Sequence, residues 1–309
     1  MRGSIAVVGS SNTDMIIKCD RIPKAGETIM GGDFCTAAGG KGANQAVAAA
    51  RAGGSVSLVA RVGSDMFGDK AVEGFKNDLI DVTHVLRDSA APSGVALIFV
   101  DRRGENSIAV AGGANGNLSA GDVIDARGAI EAAKILIMQL ETPIEAVEAA
   151  AKLARQAGVK VMLNPAPARP LANGLLSSVS ILTPNESEAE LLTGQTVTNE
   201  KEAEAAARIL CERGVETIII TLGSRGAYVF ADGCKQMVPG FKVEAVDTTA
   251  AGDVFNGALA VAMAEARPLL EAVTFASAAA AISVTRMGAQ PSAPTRQEID
   301  QFIAEHRRE

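Results

Sequence analysis

The chain has 309 residues, 48% of them hydrophobic, with 31 glycines and a formal net charge of -7. That content suits a tightly packed α/β core, as one sizeable domain or two smaller ones, and excludes a disordered chain. The acidic balance, with no dense Lys/Arg run before Arg307-Arg308, argues against nucleic acid, so a phosphate-handling site would point to a small molecule.

The four cysteines (Cys19, Cys35, Cys211 and Cys234) lack C-x-x-C spacing, which argues for reduced thiols rather than a metal knuckle or redox pair. The two histidines, His84 and His306, fall in no recognisable triad or zinc pattern. The first apolar run, Ile5–Val8, ends at Gly9 and is too short for a signal peptide or membrane span. The expectation is a cytoplasmic protein with no membrane partner.

Short apolar runs alternate with helical patterns along the chain, the signature of a parallel sheet wrapped by helices. The strand-like runs are Ile5–Val8, Val56–Val62, Ile135–Leu140, Val159–Leu163, Ile181–Leu182, Thr217–Thr221 and Ala227–Phe230. Helical patterns cover Ala43–Ala52, Phe67–Asp78, Ile144–Ala157, Glu186–Thr193, Glu200–Arg213, Val254–Ala266, Leu269–Thr285 and Arg296–Glu305. Two regions lack a helix between their extended segments. They are 14–38, with a turn at Pro23–Gly26, and 93–111, turning at Asp101–Gly104. These predict a small antiparallel sheet set apart from the core, with a face for a ligand or a second subunit to cover.

Five loops at strand ends carry the chemistry. Gly9-Ser10-Ser11-Asn12-Thr13-Asp14 lacks the G-x-G-x-x-G of a dinucleotide fold, but Asn12 and Asp14 suit neighbouring sugar hydroxyls or a plain turn. Gly39-Gly40-Lys41-Gly42-Ala43-Asn44 resembles a phosphate loop and fails it, since Gly42 follows the lysine. Glycines around Lys41 let a ligand approach the backbone, with Asn44 one turn on. Asn185 and Glu188 fit a helix capping box, or oxygen ligands facing Mg²⁺ and its waters. Thr221-Leu222-Gly223-Ser224-Arg225-Gly226 is able to cradle phosphates. Asp247-Thr248-Thr249-Ala250-Ala251-Gly252-Asp253 lies between a strand-like run, Gly240–Val246, and a helix, so small residues uncover the amides of a first helical turn. Asp253 beside that anion site either complements the helix dipole or removes a proton.

Assembled, these segments resemble the ribokinase (PfkB) family of sugar kinases nearly end to end. The signature regions are Gly39–Ala46 and Asp247–Asp253, and Asn164–Ala168 and Gly288–Ser292 match closely as well. The resemblance implies a doubly wound, mostly parallel α/β domain spanning 1–309, with a lid from about 14–38 and 93–111. It also implies ATP-dependent phosphorylation of the ribose 5-hydroxyl. Asp253 is then the catalytic base, and Ala250, Ala251 and Gly252 form the anion hole. Asn12, Asp14, Gly40, Lys41, Asn44 and Glu141 hold the sugar. Asn185, Thr221, Gly223, Ser224, Gly226, Gly252 and Ser277 lie along the ATP. K⁺ falls to Asp247, Thr249, Ser283, Arg286, Gly288 and Ser292, and Mg²⁺ to Asn185 and Glu188 through water. The resemblance further implies ribose and ATP as partners and a homodimer built through the lid sheets. Ser277 is small for an adenine contact, and Ala96, Ile98 and Val110 would face a compact pentose. One tyrosine and no tryptophan speak against a nucleoside kinase. A deoxyribokinase, another pentose or hexose kinase, and a non-catalytic sugar-binding regulator are the alternatives.

Overall fold

The computed structural model describes residues 3–103 and 105–306. The strands are β1 (Ser4–Val8), β2 (Asn12–Lys18), β3 (Phe34–Gly39), β4 (Ser55–Gly63), β5 (Asp81–Asp88), β6 (Gly94–Val100), β7 (Asn106–Ala111), β8 (Ile135–Met138), β9 (Lys160–Leu163), β10 (Ile181–Leu182), β11 (Thr217–Thr221), β12 (Gly226–Ala231) and β13 (Cys234–Pro239). The helices are α1 (Lys41–Arg51), α2 (Met66–Asn77), α3 (Ala120–Asp125), α4 (Arg127–Glu131), α5 (Ile144–Gln156), α6 (Asn173–Leu176), α7 (Glu186–Thr193), α8 (Glu200–Glu212), α9 (Ala251–Ala264), α10 (Leu269–Val284) and α11 (Arg296–His306).

Nine strands form one sheet in the order β13-β12-β11-β10-β9-β8-β1-β4-β5, parallel from β11 to β5. The central strands β1, β8, β9 and β10 are apolar over nearly their whole length because both faces are covered. Ile5 and Val7 pack into one layer with α1, α9 and α10, while Ala6 and Val8 pack into the other with α5 and α8. The chain runs from β1 to β4 on one side and reaches β8 on the other, which puts the topological switch point at the carboxyl ends of β1 and β8.

Two edge strands escape the sequence reading. β5, Asp-Val-Thr-His-Val-Leu-Arg-Asp, alternates in character because an edge strand hides less of itself, and it contains His84. β13 is polar for the same reason and joins β12 through Asp232-Gly233, with Gly233 at φ +71°. The strand expected at Gly240–Val246 is absent: β13 already forms the sheet edge, and the segment beyond it runs irregularly. Two helices begin earlier than expected, α1 at Lys41 and α9 at Ala251, because their glycines sit inside the first turn.

The second sheet has the order β3-β2-β6-β7. Its outer pairs are antiparallel, as expected, but β2 and β6 run parallel. The reason is topological: β2 continues from β1 and β6 from β5, so both leave the main sheet at the same edge, heading the same way. A turn closes at Lys24–Glu27 (3.0 Å), with Gly26 at φ +77°. The turn expected at Asp101–Gly104 lies partly outside the described residues.

Candidate active site

The carboxyl ends of the central strands open onto a cleft of about 420 Å³. Asn12, Asp14, Gly40, Lys41, Asn44 and Glu141, all expected at a sugar site, line it together. The first turn is braced by a residue the sequence reading does not single out. Asn115 Oδ1 accepts from the Ser11 amide at 2.8 Å, which fixes its Nδ2 as the donor to Asn12 Oδ1 at 2.7 Å. The Asn12 side chain therefore keeps its amide N–H groups for a ligand.

Gly40 and Gly42 answer to the protein rather than to the ligand alone. A Cβ on Gly40, at φ +89°, would lie 2.6 Å from Asn12 N, and one on Gly42 would lie 2.5 Å from Ser10 N. This close approach of α1 to the first turn lets Ser10 Oγ donate to Glu141 Oε2 at 2.6 Å while the Lys41 amide donates to the same oxygen at 3.0 Å.

The charges of the cleft are coupled. Burial, then the neighbouring Glu141 and Asp253, push the Asp14 carboxyl up to about 6. Burial opposes the charge on Lys41, but Asp253, Glu141 and Glu188 outweigh it and hold the ammonium above its ordinary value. Burial raises Glu188 as well, against the Asn185 amide and Lys41.

The opposite wall is the start of α9. Ala250 adopts a left-handed backbone, φ +58°, that turns the chain into the helix. The Val254 amide returns to Ala250 O at 2.9 Å and the Ala251 amide to Thr248 O at 3.3 Å, while the Gly252 amide has no acceptor among the described residues. Ala250, Ala251 and Gly252 all line the cleft, and with no side chain beyond a methyl they leave it open to an anion.

Asp253 is 5% exposed in the first turn of α9. Its Oδ2 accepts from Asn44 Nδ2 at 3.0 Å and its Oδ1 from Gln45 Nε2 at 2.9 Å. Burial raises its pKa, and Lys41, Asn44 and Gln45 pull the other way. Gly257, one turn on, lets α9 lie against α1, since a Cβ there would meet Ala48 and the Gln45 carbonyl at 2.7 Å. Gln45 follows Asn44 on α1, about 100° further round the helix, and meets Asp253 through its other carboxylate oxygen.

Asn185, Glu188 and Thr221 sit side by side farther along the cleft, Asn185 bridging Thr221. The capping box is present: Asn185 Oδ1 accepts from the Glu188 amide at 2.8 Å and Glu188 Oε2 from the Asn185 amide at 2.9 Å. Glu188 Oε1 remains for a hydrated cation. Among the described residues no group of three or more His, Cys, Asp or Glu is placed to hold a metal, so any Mg²⁺ here needs oxygens from a ligand and water as well.

Gly223, Ser224 and Gly226 form the turn after β11, beyond the cleft walls, and Ser277 is buried within α10. Gly226, at φ +104°, is required by the main chain, since a Cβ would lie 2.1 Å from Val238 O. Of the apolar residues expected over the sugar, Ile98 lines the cleft with Ile108 and Asn106. Ala96 is instead buried at the base of the small sheet and Val110 is 54% exposed, because only one level of the hairpin overhangs the opening.

Of the residues expected around K⁺, Thr249 and Gly288 meet at Asp247. Asp247 Oδ2 accepts from the Gly288 amide at 2.8 Å and Oδ1 from the Thr249 amide at 2.9 Å. Burial opposes ionisation there, but these donors hold Asp247 below the usual range. Ser283 and Ser292 are buried and donate to Ala280 O and Ala289 O, which leaves lone pairs on both hydroxyls. Arg286 turns its guanidinium to Glu298, so only its carbonyl is available.

An exposed anion seat, a buried carboxylate beside it and a wall of hydroxyl-binding groups opposite describe a site that joins a phosphate-bearing ligand to a polyhydroxy one. The profile of the pfkB family of carbohydrate kinases matches residues 2–296. A ribokinase of Haemophilus influenzae is 48% identical over 303 residues, covering 98% of this chain and 99% of its own. A deoxyribokinase of Salmonella typhimurium is 38% identical over 301 residues, 97% of this chain and 98% of its own. The structure of Arabidopsis thaliana ribokinase complexed with ribose and ATP superposes with a TM-score of 0.91 at 34% identity, covering 98% of this chain and 99% of that one. The chain belongs to the pfkB family of carbohydrate kinases.

Proposed function

We propose that this chain transfers the γ-phosphoryl group of ATP to the 5-hydroxyl of D-ribose, giving ribose 5-phosphate and ADP. The observation that carries the reading is Asp253, a buried carboxylate oriented by two amides at the foot of a helix whose first residues, Ala250–Gly252, line the same cleft. The relatives support the choice of sugar.

In this mechanism Asn12, Asp14, Gly40, Lys41, Asn44 and Glu141 hold the pentose with its 5-hydroxyl toward Asp253. The hydroxyl oxygen forms its bond to the γ-phosphorus as the bond to the β,γ-bridging oxygen breaks, and its proton passes to Asp253. Such transfers go through a loose transition state, so positioning and charge neutralisation dominate. The amides of Ala250–Gly252 bear on the transferred group, and Lys41 offsets negative charge in the cleft. Bound Mg²⁺ would neutralise phosphate charge, with Asn185 and Glu188 holding its waters. Thr221, Gly223, Ser224, Gly226 and Ser277 lie on the nucleotide's side. The small sheet acts as a lid over the sugar, keeping water from competing as acceptor. Its exposed Phe34 and Leu97 support a homodimer built through the lids.

An ATP-consumption assay across ribose, 2-deoxyribose, fructose and adenosine tests the reading, with the highest kcat/KM expected for ribose. Preference for 2-deoxyribose would move the protein to the deoxyribokinase branch, where its 38% identical relative stands. No turnover with any of them would leave a sugar-binding regulator. A cation test is independent of the sugar: replacing K⁺ with Na⁺ lowers turnover more than it weakens ATP binding, and Asp247→Ala abolishes the difference. Equal rates in both salts would remove the K⁺ site.

A further inference from the structure

Asp253 is held from behind by a side chain that does not reach the cleft. Gln45 is fully buried, and its Nε2 donates both to Asp253 Oδ1 at 2.9 Å and to Asn164 Oδ1 at 3.2 Å. The orientation of this amide follows from its neighbours. The main-chain carbonyl of Thr183 can only accept, so Asn164 turns its Nδ2 to it, at 3.1 Å, and its oxygen to Gln45. On the other side Gln139 Nε2 donates to Gln45 Oε1 at 2.6 Å. Gln139 Oε1 is buried without a partner and pressed against Gly9, where a Cβ would lie 2.2 Å away. A buried, unpaired carbonyl is unfavourable, and the bond to Gln45 is the one side-chain hydrogen bond Gln139 makes among the described residues.

The same chain of amides reaches the anion seat. Thr183 Oγ1 donates to Asn256 Oδ1 at 2.6 Å, and Asn256 Nδ2 donates at 2.8 Å to the carbonyl of Gly252, the peptide that leads into Asp253. The carboxylate and the helix start beside it are thus set by one continuous buried network.

We propose that Gln45 is a positioning residue of the phosphoryl transfer: it fixes Asp253 Oδ1 from the protein interior, so that Oδ2, beside Asn44 at the cleft, is the oxygen that receives the sugar proton. Gln139 keeps the Gln45 amide the right way round. Without Gln45 the carboxyl group can rotate and loses a donor that favours its ionised form, so the reacting geometry is populated less often. The inference rests on the reading of Asp253 as the base.

The test compares Gln45→Met, of similar length and apolar, with Gln45→Glu, following kcat, both KM values and the pH dependence of kcat. In Gln45→Met, kcat falls about 10- to 100-fold and its acid limb moves up by about one pH unit, while sugar and ATP affinities stay within about threefold. In Gln45→Glu, two carboxyls share the buried site, so activity requires a proton on the pair and falls again as pH rises. A lowered kcat with an unmoved acid limb overturns the proposal, as does a loss confined to the sugar KM. If Gln45→Met does not fold, Gln139→Met frees the Gln45 amide to turn over and gives a smaller shift of the same limb. Asp253→Asn separates the two readings. Near-normal turnover there removes the base itself, whereas collapse there with a wild-type pH profile in the Gln45 variants overturns only the positioning role.

Discussion

In Asp253→Asn, kcat falls by about 10²- to 10⁴-fold, the range a positioned general base contributes, while ribose and ATP still bind. The substitution preserves size, so the expected loss is chemical. Two amides now donate to this carboxylate, Asn44 Nδ2 and Gln45 Nε2, and the new amide can accept only one of them without opposing N–H groups. Asn44 resolves the conflict. Its Oδ1 is buried without a partner, so turning its amide over supplies an acceptor for the new Nδ2. The fold should not suffer, since burial disfavours the Asp253 charge in the first place. The melting temperature is expected to stay the same or rise, and sugar binding to weaken modestly because Asn44 has changed its presentation. Measured by single-turnover kinetics alongside sugar titration, a variant that binds ribose and retains near-normal turnover would exclude Asp253 as the base. In the wild type, burial of Asp253 also places the acid limb of kcat above the usual carboxylate range.

The alternation of apolar runs and helical patterns led directly to the parallel sheet, because strands buried on both faces leave nothing polar to break the run. Edge strands carry no such signal, so the alternation does not reveal β5 and β13. Asn12, Asp14, Lys41 and Asn44 stand at strand ends in the sequence and line one cleft in the structure, but their residue types alone leave a plain turn open, and only the resemblance names a sugar for them. The parallel pairing of β2 and β6 was not legible, since it follows from where two separate insertions leave the sheet. The left-handed backbone at Ala250 is equally silent, because alanine gives no hint of a positive φ. The buried amides Gln45, Gln139, Asn115 and Asn256 were invisible for a different reason. Each is ordinary in its own segment, and its role comes from partners as far as 208 residues away, as Gln45 is from Asp253.

Asp14 is where binding and stability oppose each other, and Asp14→Asn exposes both. The pressures on this carboxyl act in one direction: burial, Glu141 and Asp253 all raise it from 3.8 to about 6. A folded state that keeps its proton while the unfolded chain gives it up loses stability as pH rises between those two values. Below about 3.8 there is no penalty, and above about 6 it is complete, on the order of 1–3 kcal/mol for a group that retains some contact with water. The variant therefore melts at a higher temperature than the wild type at pH 7–8, with the difference closing toward pH 4. Its ribose affinity moves the other way, falling about 10- to 100-fold while ATP affinity is unchanged, because hydroxyl donors bonded to a charged acceptor are worth more than those bonded to an amide. In the wild type the sugar must draw Asp14 into its ionised form, so ribose affinity declines as pH falls through about 6 and binding near that pH releases a proton. Calorimetric titrations in buffers of different ionisation enthalpy read that proton. A variant that weakens both ligands alike, or melts lower at pH 8, would show that Asp14 serves the fold and not the sugar.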